Sequence, residues 1–258
     1  SAGFPVQNYR YYDAQQQGVD INGMLEDLRQ LPAQSIVVLH ACCHNPTGVD
    51  LSPEQWVTVL EVLRERDLIP FLDIAYQGFA EGVYEDAHAV RMFADSGLSF
   101  FVSSSFSKSF SLYGERVGAL SIVTQSTEQA ARVLSQLKRV IRTNYSNPPT
   151  HGATVVSQVL NTPELNALWQ DELGEMRVRI LLMRQLMVEQ LAAKGAKRDF
   201  SFVAQQRGMF SYSGLTPEQV ERLRNEFAIY AVGTGRICVA ALNMNNIDTV
   251  TDAIVQVL

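Results

Sequence analysis

Short apolar runs alternate with stretches of helical periodicity through the first half of the chain, and this alternation limits the folds open to it. Strands that alternate with helices are typical of βαβ units and a parallel sheet. The near-continuous apolar character of the first three runs predicts strands buried on both faces. We therefore predict an α/β fold with a mainly parallel sheet. The runs are SIVVLH (35–40), LIPFLDIA (68–75), LSFFVSSS (98–105) and RVGALSIV (116–123), with helical spacing at 53–66 and 86–95.

The second half of the chain is richer in helical periodicity, which covers 128–142 and a long run from about Glu164 to Ala193. Short apolar runs, a helix from Pro217 to Phe227 and a last helix ending at Leu258 follow, and together they predict a smaller α+β unit. We place the domain boundary near residue 170. Residues 1–170 would then form part of a large domain and residues 171–258 part of a small one, joined by the long helix.

Composition narrows the classes of partner. The 258 residues are 47% hydrophobic, enough for a large core, and carry a net charge of -6 with no basic run, which disfavours nucleic acid or an anionic membrane as partner. No apolar stretch reaches the length of a membrane span, and no leader pattern opens the chain. Cys42, Cys43 and Cys238 fit reduced thiols better than a disulfide framework. We expect a cytoplasmic protein with a small-molecule partner.

Polar loops follow three of the predicted strands. They are HNPTG (44–48), DIAYQG (73–78) and SFSKSF (105–110). Ligands of open parallel sheets bind beyond the carboxyl ends of the strands, so we expect the three loops to converge on one site.

Lys108 stands among serines in the third loop. A desolvated lysine can form an imine with a carbonyl, although a lysine in a serine-rich loop is more often exposed and inert. Ser105 precedes it by three residues and Arg116 follows by eight, a hydroxyl and a guanidinium suited to a phosphate.

Asp73 ends the second apolar run. It either caps a turn or presents a buried carboxylate to a ligand cation such as a protonated pyridine nitrogen. Tyr76, three residues on, either packs or donates a hydrogen bond to a phenolate oxygen of the ligand.

His40, Cys42, Cys43 and His44 precede the turn that begins at Asn45. These residue types invite a metal site, but their crowding is wrong for a structural zinc, and we expect no metal.

Two arginines draw attention in the second half. Arg142 ends a helix, where it either complements the helix C-terminus or meets a ligand. Arg236 enters the apolar stretch GTGRICVAA and needs an anion, for which a substrate carboxylate would serve.

Six motifs occur in an order and spacing that resemble one family, the class I pyridoxal-phosphate aminotransferases of the aspartate and aromatic amino acid branch. They are HNPTG, LDIAYQGF, SFSKSFSLYGERVG, NYSNPP, RGMFSY and GRICVAALN, and they extend over most of the chain. The resemblance implies a fold-type I architecture, pyridoxal 5'-phosphate as cofactor and a homodimer with shared active sites. HACCHNPTG and RGMFSY are more similar to bacterial aromatic aminotransferases, which favours tyrosine or phenylalanine as amino donor.

The resemblance also implies roles for matched residues. Lys108 would carry the cofactor as an aldimine and then move the proton, and Asp73 would keep the pyridine nitrogen protonated. The amino group of an aromatic or dicarboxylic amino acid would pass to 2-oxoglutarate by a ping-pong mechanism. Asn45 and Tyr76 would bind the 3'-oxygen of the cofactor, and Ser105 and Arg116 would bind its phosphate. Arg236 would bind the α-carboxylate of the substrate, and Phe210 would line the pocket. Arg142 would reach across the dimer interface to a side-chain carboxylate of the substrate.

The chain departs from the family at its front. Members carry a longer N-terminal part with a phosphate loop and an aromatic residue that stacks on the cofactor, and we find neither motif here, so we expect a fragment of such an enzyme. Two alternatives stay open: another fold-type I enzyme such as a lyase or decarboxylase, because Lys108 and Asp73 do not choose which α-bond breaks, and a non-catalytic module.

Overall fold

The computed structural model describes residues 3–258. Its strands are β1 (Tyr12–Asp13), β2 (Gly18–Val19), β3 (Ile36–His40), β4 (Ile69–Ile74), β5 (Phe100–Ser105), β6 (Gly118–Val123), β7 (Phe210–Tyr212) and β8 (Arg236–Cys238). Its α-helices are α1 (Ile21–Gln30), α2 (Pro53–Glu65), α3 (His88–Asp95), α4 (Thr127–Asn144), α5 (His151–Asn161), α6 (Pro163–Ala193), α7 (Phe202–Gln205), α8 (Pro217–Phe227) and α9 (Ile247–Val257). Two short 3-10 turns lie at Glu85–Ala87 and Val239–Ala241.

The central sheet has four strands in the order β3-β4-β5-β6. β3, β4 and β5 run parallel, and β6 pairs with β5 in the antiparallel sense. This arrangement confirms the predicted α/β fold with a mainly parallel sheet. The register pairs His40 with Asp73 and Asp73 with Ser103, so the carboxyl ends of three strands lie level at one edge.

Local sequence signals explain where α2 begins. The Ser52 hydroxyl accepts from the backbone N–H of Gln55, the Gln55 side chain accepts from the Ser52 N–H, and Pro53 occupies the first turn. This reciprocal capping satisfies donors that the helix cannot pair internally. α2 then buries Trp56 and Leu63 in the core beneath the sheet.

Only one face of the central sheet is buried in the described part of the chain. In β3, Val37 and Leu39 are 2% and 1% exposed, whereas their neighbours Ile36 and Val38 are 47% and 51% exposed. The prediction that this strand is buried on both faces is therefore wrong for the described residues. Successive side chains of a strand point to opposite faces of the sheet. Burial alternates along β3 because only one of these faces is covered by other residues of the described chain.

α6 is a single helix of 31 residues that contacts both parts of the molecule. The Trp169 indole N–H donates to the Ser109 carbonyl at 2.7 Å, next to Lys108. Further along, the Arg179 guanidinium donates to the carbonyls of Leu242 and Ala240, each at 2.9 Å. The predicted boundary near residue 170 falls inside this helix, and the division into two domains stays a prediction.

The C-terminal part combines helices with a small sheet. β7 and β8 pair antiparallel, with Phe210 opposite Cys238 and Tyr212 opposite Arg236. α8 and α9 pack against each other, and α9 also contacts α6. Across residues 3–258, none of the helices combines the length and apolar character needed to cross a membrane.

Replacing each of two adjacent valines of β3 by alanine tests the one-sided burial. Val37→Ala removes buried methyl groups and should lower the free energy of unfolding by about 1.5–3 kcal/mol. Val38→Ala on the opposite face should cost no more than about 1 kcal/mol, mostly through lower β propensity. Urea unfolding of the two variants supplies the comparison. Equal losses would contradict the described packing.

Candidate active site

The site begins at the level carboxyl ends of the three parallel strands. Asp73 lies near the end of β4, and the Ser103 hydroxyl of β5 donates to its Oδ1 at 3.1 Å. Both side chains are partly buried. Among side-chain donors within residues 3–258, only the neutral Ser103 hydroxyl bonds to this carboxylate, which leaves it available to a cation from outside the sheet.

Lys108 follows β5 in a tight turn. Its neighbours Ser107 and Ser109 are buried, and the turn is tied to α6 by the Trp169 bond. The Lys108 amine lies 4.6 Å from the centroid of the Tyr76 ring, a cation–π distance. Partial burial lowers the pKa of Lys108; the charge of Arg116 acts in the same direction, and Asp73 opposes it. A larger neutral fraction makes the amine a better nucleophile.

A polar network joins residues that are far apart in sequence. The Asn45 amide donates to the Tyr76 hydroxyl oxygen at 3.3 Å, and the Arg236 guanidinium donates to Asn45 Oδ1 at 3.1 Å. The guanidinium also lies 4.8 Å from the Phe210 ring centroid, and Phe210 meets Tyr76 edge to face. None of the ion pairs found within residues 3–258 includes Arg236, so its charge is available to an anionic ligand.

Ser105 and Arg116 lie on either side of the Lys108 turn. The Ser105 hydroxyl accepts from the Ser107 N–H at 3.3 Å, and Arg116 donates to the Tyr113 carbonyl at 3.0 Å. Arg116 has a left-handed backbone with φ 55 and an exposed side chain. A hydroxyl and a guanidinium that flank the amine in sequence are groups that can bind a phosphate.

Arg142 does not join this group in the described chain. It lies in the last turn of α4, is exposed, and donates to the Ser146 hydroxyl. None of its hydrogen bonds within residues 3–258 reaches another candidate residue. The structure therefore brings eight predicted site residues to one region and leaves Arg142 apart: Asn45, Asp73, Tyr76, Ser105, Lys108, Arg116, Phe210 and Arg236.

An aromatic stack supports the Asn45 loop, and the sequence analysis missed it. The Tyr11 ring lies parallel to His44 at 3.9 Å between centroids, and His40 lies 4.8 Å from His44 on another side. His44 Nδ1 is hydrogen-bonded to the Thr47 hydroxyl at 2.8 Å. Burial, with a contribution from His40, lowers the pKa of His44 to about 3. The aromatic cluster YRYYD (9–13) near the N-terminus was the sequence feature that could have indicated such a stack.

Cys42, Cys43 and Asp86 lie close together, with their ligand atoms within 4.8 Å of one another. Asp86 already accepts four backbone N–H bonds, from Gly78, Ala80, Glu81 and Gly82. These bonds occupy the lone pairs that a cation would need, so the carboxylate is best explained as the organiser of that loop.

Comparisons with known proteins extend along nearly the whole chain. Residues 1–254 match the family model described as aminotransferase class I and II. The chain is 76% identical over its full length to an aspartate aminotransferase of Pseudomonas aeruginosa and 54% identical to an aromatic-amino-acid aminotransferase of Escherichia coli. It spans about 65% of the length of each of these curated relatives.

Solved structures agree in fold. An aromatic-amino-acid aminotransferase of Burkholderia pseudomallei, covalently bound to pyridoxal phosphate, superimposes with a TM-score of 0.98 at 66% identity. The match covers all of this chain and 64% of the solved one.

The partial burial of His44 predicts a pH effect on stability. Its folded-state pKa lies below the unfolded value of 6.5, so only the unfolded state gains a proton as the pH falls below 6.5. This group therefore contributes its full share of stability above pH 6.5 and loses it toward pH 3, by up to about 1.4 kcal/mol for each pH unit.

Urea unfolding of His44→Gln, with the exposed His151→Gln as control, measures this effect. The loss of stability between pH 7 and pH 5 should shrink in the first variant and persist in the second. An unchanged pH dependence in His44→Gln would contradict the lowered pKa of the partly buried ring.

Proposed function

The chain belongs to the aminotransferase class I and II family and has its α/β fold-type I architecture, and from this premise we propose that it transfers the amino group of an aromatic or dicarboxylic amino acid to 2-oxoglutarate. The observation that carries the proposal is the Lys108 amine, partly desolvated and 4.6 Å from the Tyr76 ring centroid. Asp73 and Arg236 would supply the charges that such a reaction needs.

The residues present fit pyridoxal phosphate, the cofactor bound in the Burkholderia relative. The ring nitrogen needs a nearby carboxylate, and Asp73 accepts only the Ser103 hydroxyl among side-chain donors of the described chain. The phenolic oxygen needs neutral donors, which the bonded pair of Asn45 and Tyr76 would provide. The phosphate would lie between Ser105 and the exposed guanidinium of Arg116.

When bound, this cofactor supplies an electrophilic carbonyl carbon and a ring that withdraws electrons from the amino acid. Lys108 would be the nucleophile that holds it and, once released, the base that moves the α-proton, because a lowered pKa favours both roles. Asp73 would hold a proton at the ring nitrogen. The network of Asn45 and Tyr76 would fix the plane in which these groups act.

Substrate recognition would centre on Arg236. Its guanidinium is oriented by Asn45 and by the Phe210 ring, and it lacks an ion-pair partner in the described chain. A planar guanidinium binds a carboxylate with two parallel hydrogen bonds, which would orient the α-carbon toward Lys108. Phe210 would form the wall beside it.

Arg142 would act in a dimer rather than within one subunit. Its exposed position in the last turn of α4 is compatible with a site shared between two copies, where it would bind the side-chain carboxylate of a dicarboxylic substrate. The names of the relatives include both aspartate and aromatic enzymes. We retain tyrosine or phenylalanine as the favoured amino donor. For the domains, we propose that residues 1–170 form part of the large domain and residues 171–258 part of the small one.

A visible absorption spectrum tests the proposed function. Purified chain incubated with pyridoxal phosphate should develop a band that tyrosine or glutamate bleaches, because a primary amine in this pocket condenses with the aldehyde. Lys108→Ala should lack the band, whereas Lys138→Ala, which removes an exposed lysine of α4, should keep it.

Three results would contradict the proposal. Absence of the band in the unmodified chain would favour a non-catalytic module. A band that persists in Lys108→Ala would place the chemistry elsewhere. A band that changes with amino acid while carbon dioxide or an eliminated group is released would favour a decarboxylase or lyase.

A further inference from the structure

Arg184 is a buried cation in the middle of α6. It lies in the apolar stretch ILLMRQLM. Its side chain is 1% exposed, as little as the largest side chains of the hydrophobic core. Among the charged residues of the described chain, only Asp86 is also buried. Arginine is almost never fully buried unless it is paired, so its presence here calls for a physical reason.

Both terminal nitrogens of the Arg184 guanidinium donate to neutral oxygens, whereas the buried Nε has no hydrogen-bond partner within residues 3–258. One nitrogen donates to the Val203 carbonyl at 3.0 Å and to the Ser211 hydroxyl. The other donates to the carbonyls of Gly208 at 2.7 Å, Phe210 at 2.8 Å and Arg207 at 3.3 Å. No carboxylate is among these partners. Burial lowers the pKa of Arg184 to about 10, so it stays protonated at neutral pH.

A buried charge without a carboxylate among its hydrogen-bond partners is costly, and an apolar side chain of similar size would avoid that cost. All five acceptors of the Arg184 hydrogen bonds lie in one short segment, residues 203–211. One rigid guanidinium thus fixes the path of a short segment that has little regular structure of its own.

That segment supports the Asn45 loop. The Arg207 N–H donates to the Gly48 carbonyl at 2.7 Å, and the Tyr212 N–H donates to the Thr47 carbonyl at 3.3 Å. Gly48 has a φ of 74, and a Cβ added there would collide with the Phe210 carbonyl oxygen. The two backbones therefore touch without an intervening side chain.

The same segment supports Arg236. β7 carries Phe210, whose ring lies beneath the Arg236 guanidinium at 4.8 Å, and Tyr212, which pairs with Arg236 in the sheet. A shift of β7 would therefore move both residues that orient this guanidinium, the Phe210 ring and the Asn45 amide.

We propose that Arg184 is a positioning residue for carboxylate binding, which fixes residues 207–211 so that Arg236 and Asn45 face the ligand together. The identity of the ligand, a substrate carboxylate, rests on the proposed function. The way in which Arg184 acts rests on the contacts described above. None of the hydrogen bonds of Arg184 reaches the Lys108 turn, so attachment of the cofactor should depend on Arg184 less than carboxylate binding does, even though Asn45 serves both.

The first test measures carboxylate affinity in the cofactor-loaded chain. Succinate and 3-phenylpropionate, which cannot react, are titrated against the visible band. Arg184→Lys should keep loading within about twofold yet weaken both ligands about tenfold or more, because an ammonium cannot bond to five oxygens in a plane. Arg184→Met should weaken them further.

The matched control is Arg179→Lys, five residues earlier in the same helix. Arg179 also bonds to two carbonyls, but these belong to Leu242 and Ala240 and not to β7. Its variant should bind both carboxylates as the unmodified chain does. Equal weakening by the Arg179 and Arg184 variants, or unchanged affinity in Arg184→Lys, would overturn the inference.

The second test needs no cofactor. Amide hydrogen exchange at Arg207 and Tyr212 should accelerate in Arg184→Lys and stay unchanged in Arg179→Lys, because only the former loosens the contact with Thr47 and Gly48. If the unmodified chain shows no cofactor band, the proposed function fails, and this exchange measurement still decides the positioning. Unaltered exchange would count against it.

A milder variant covers the case in which Arg184 variants fail to fold. Ser211→Ala removes one hydroxyl acceptor and leaves the guanidinium in place. It should weaken the two carboxylates by about threefold to tenfold without reducing loading, in proportion to one lost hydrogen bond to a charged group. Unchanged carboxylate affinity in Ser211→Ala would overturn the inference.

Discussion

The parallel register of β3, β4 and β5 is the constraint on which the candidate site depends. It aligns His40, Asp73 and Ser103 across the sheet, so that three loops leave from the same edge. A shift of one residue would turn Asp73 to the opposite face of β4, which carries the buried side chains Leu72 and Ile74. The covered face, with Leu72 and Val37 fully buried, holds this register against slippage.

A second layer of interactions turns the sheet edge into a site. Arg236 and Asn45 are separated by 191 residues and meet in one hydrogen bond, while Tyr76 and Phe210 complete the group through their rings. Binding groups drawn from several loops are precise only if the loops are fixed to one another. α6 provides this fixation, through Trp169 at the Lys108 turn and Arg184 at β7. The site therefore depends on the long helix as much as on the sheet.

Local signals made much of this predictable. The strands, the capped start of α2 and the loops around Asn45, Asp73 and Lys108 each follow from short stretches of sequence. The uncovered sheet face was not predictable, because composition reports that Val38 is apolar and not whether a neighbour covers it. The stack of Tyr11 on His44 and the carbonyl partners of Arg184 arise from tertiary contacts without a local pattern. Arg142 was identified from its motif, and a role between subunits cannot be tested within one chain.

The central claim is that Lys108 is the residue that carries the cofactor, and chemical trapping tests it most directly. The chain is incubated with pyridoxal phosphate, reduced with borohydride to make any imine permanent, and digested for peptide mass spectrometry. The account predicts a phosphopyridoxyl group on the peptide containing Lys108, because burial and the charge of Arg116 lower its pKa. Modification spread over exposed lysines such as Lys138, with Lys108 unmodified, would contradict it.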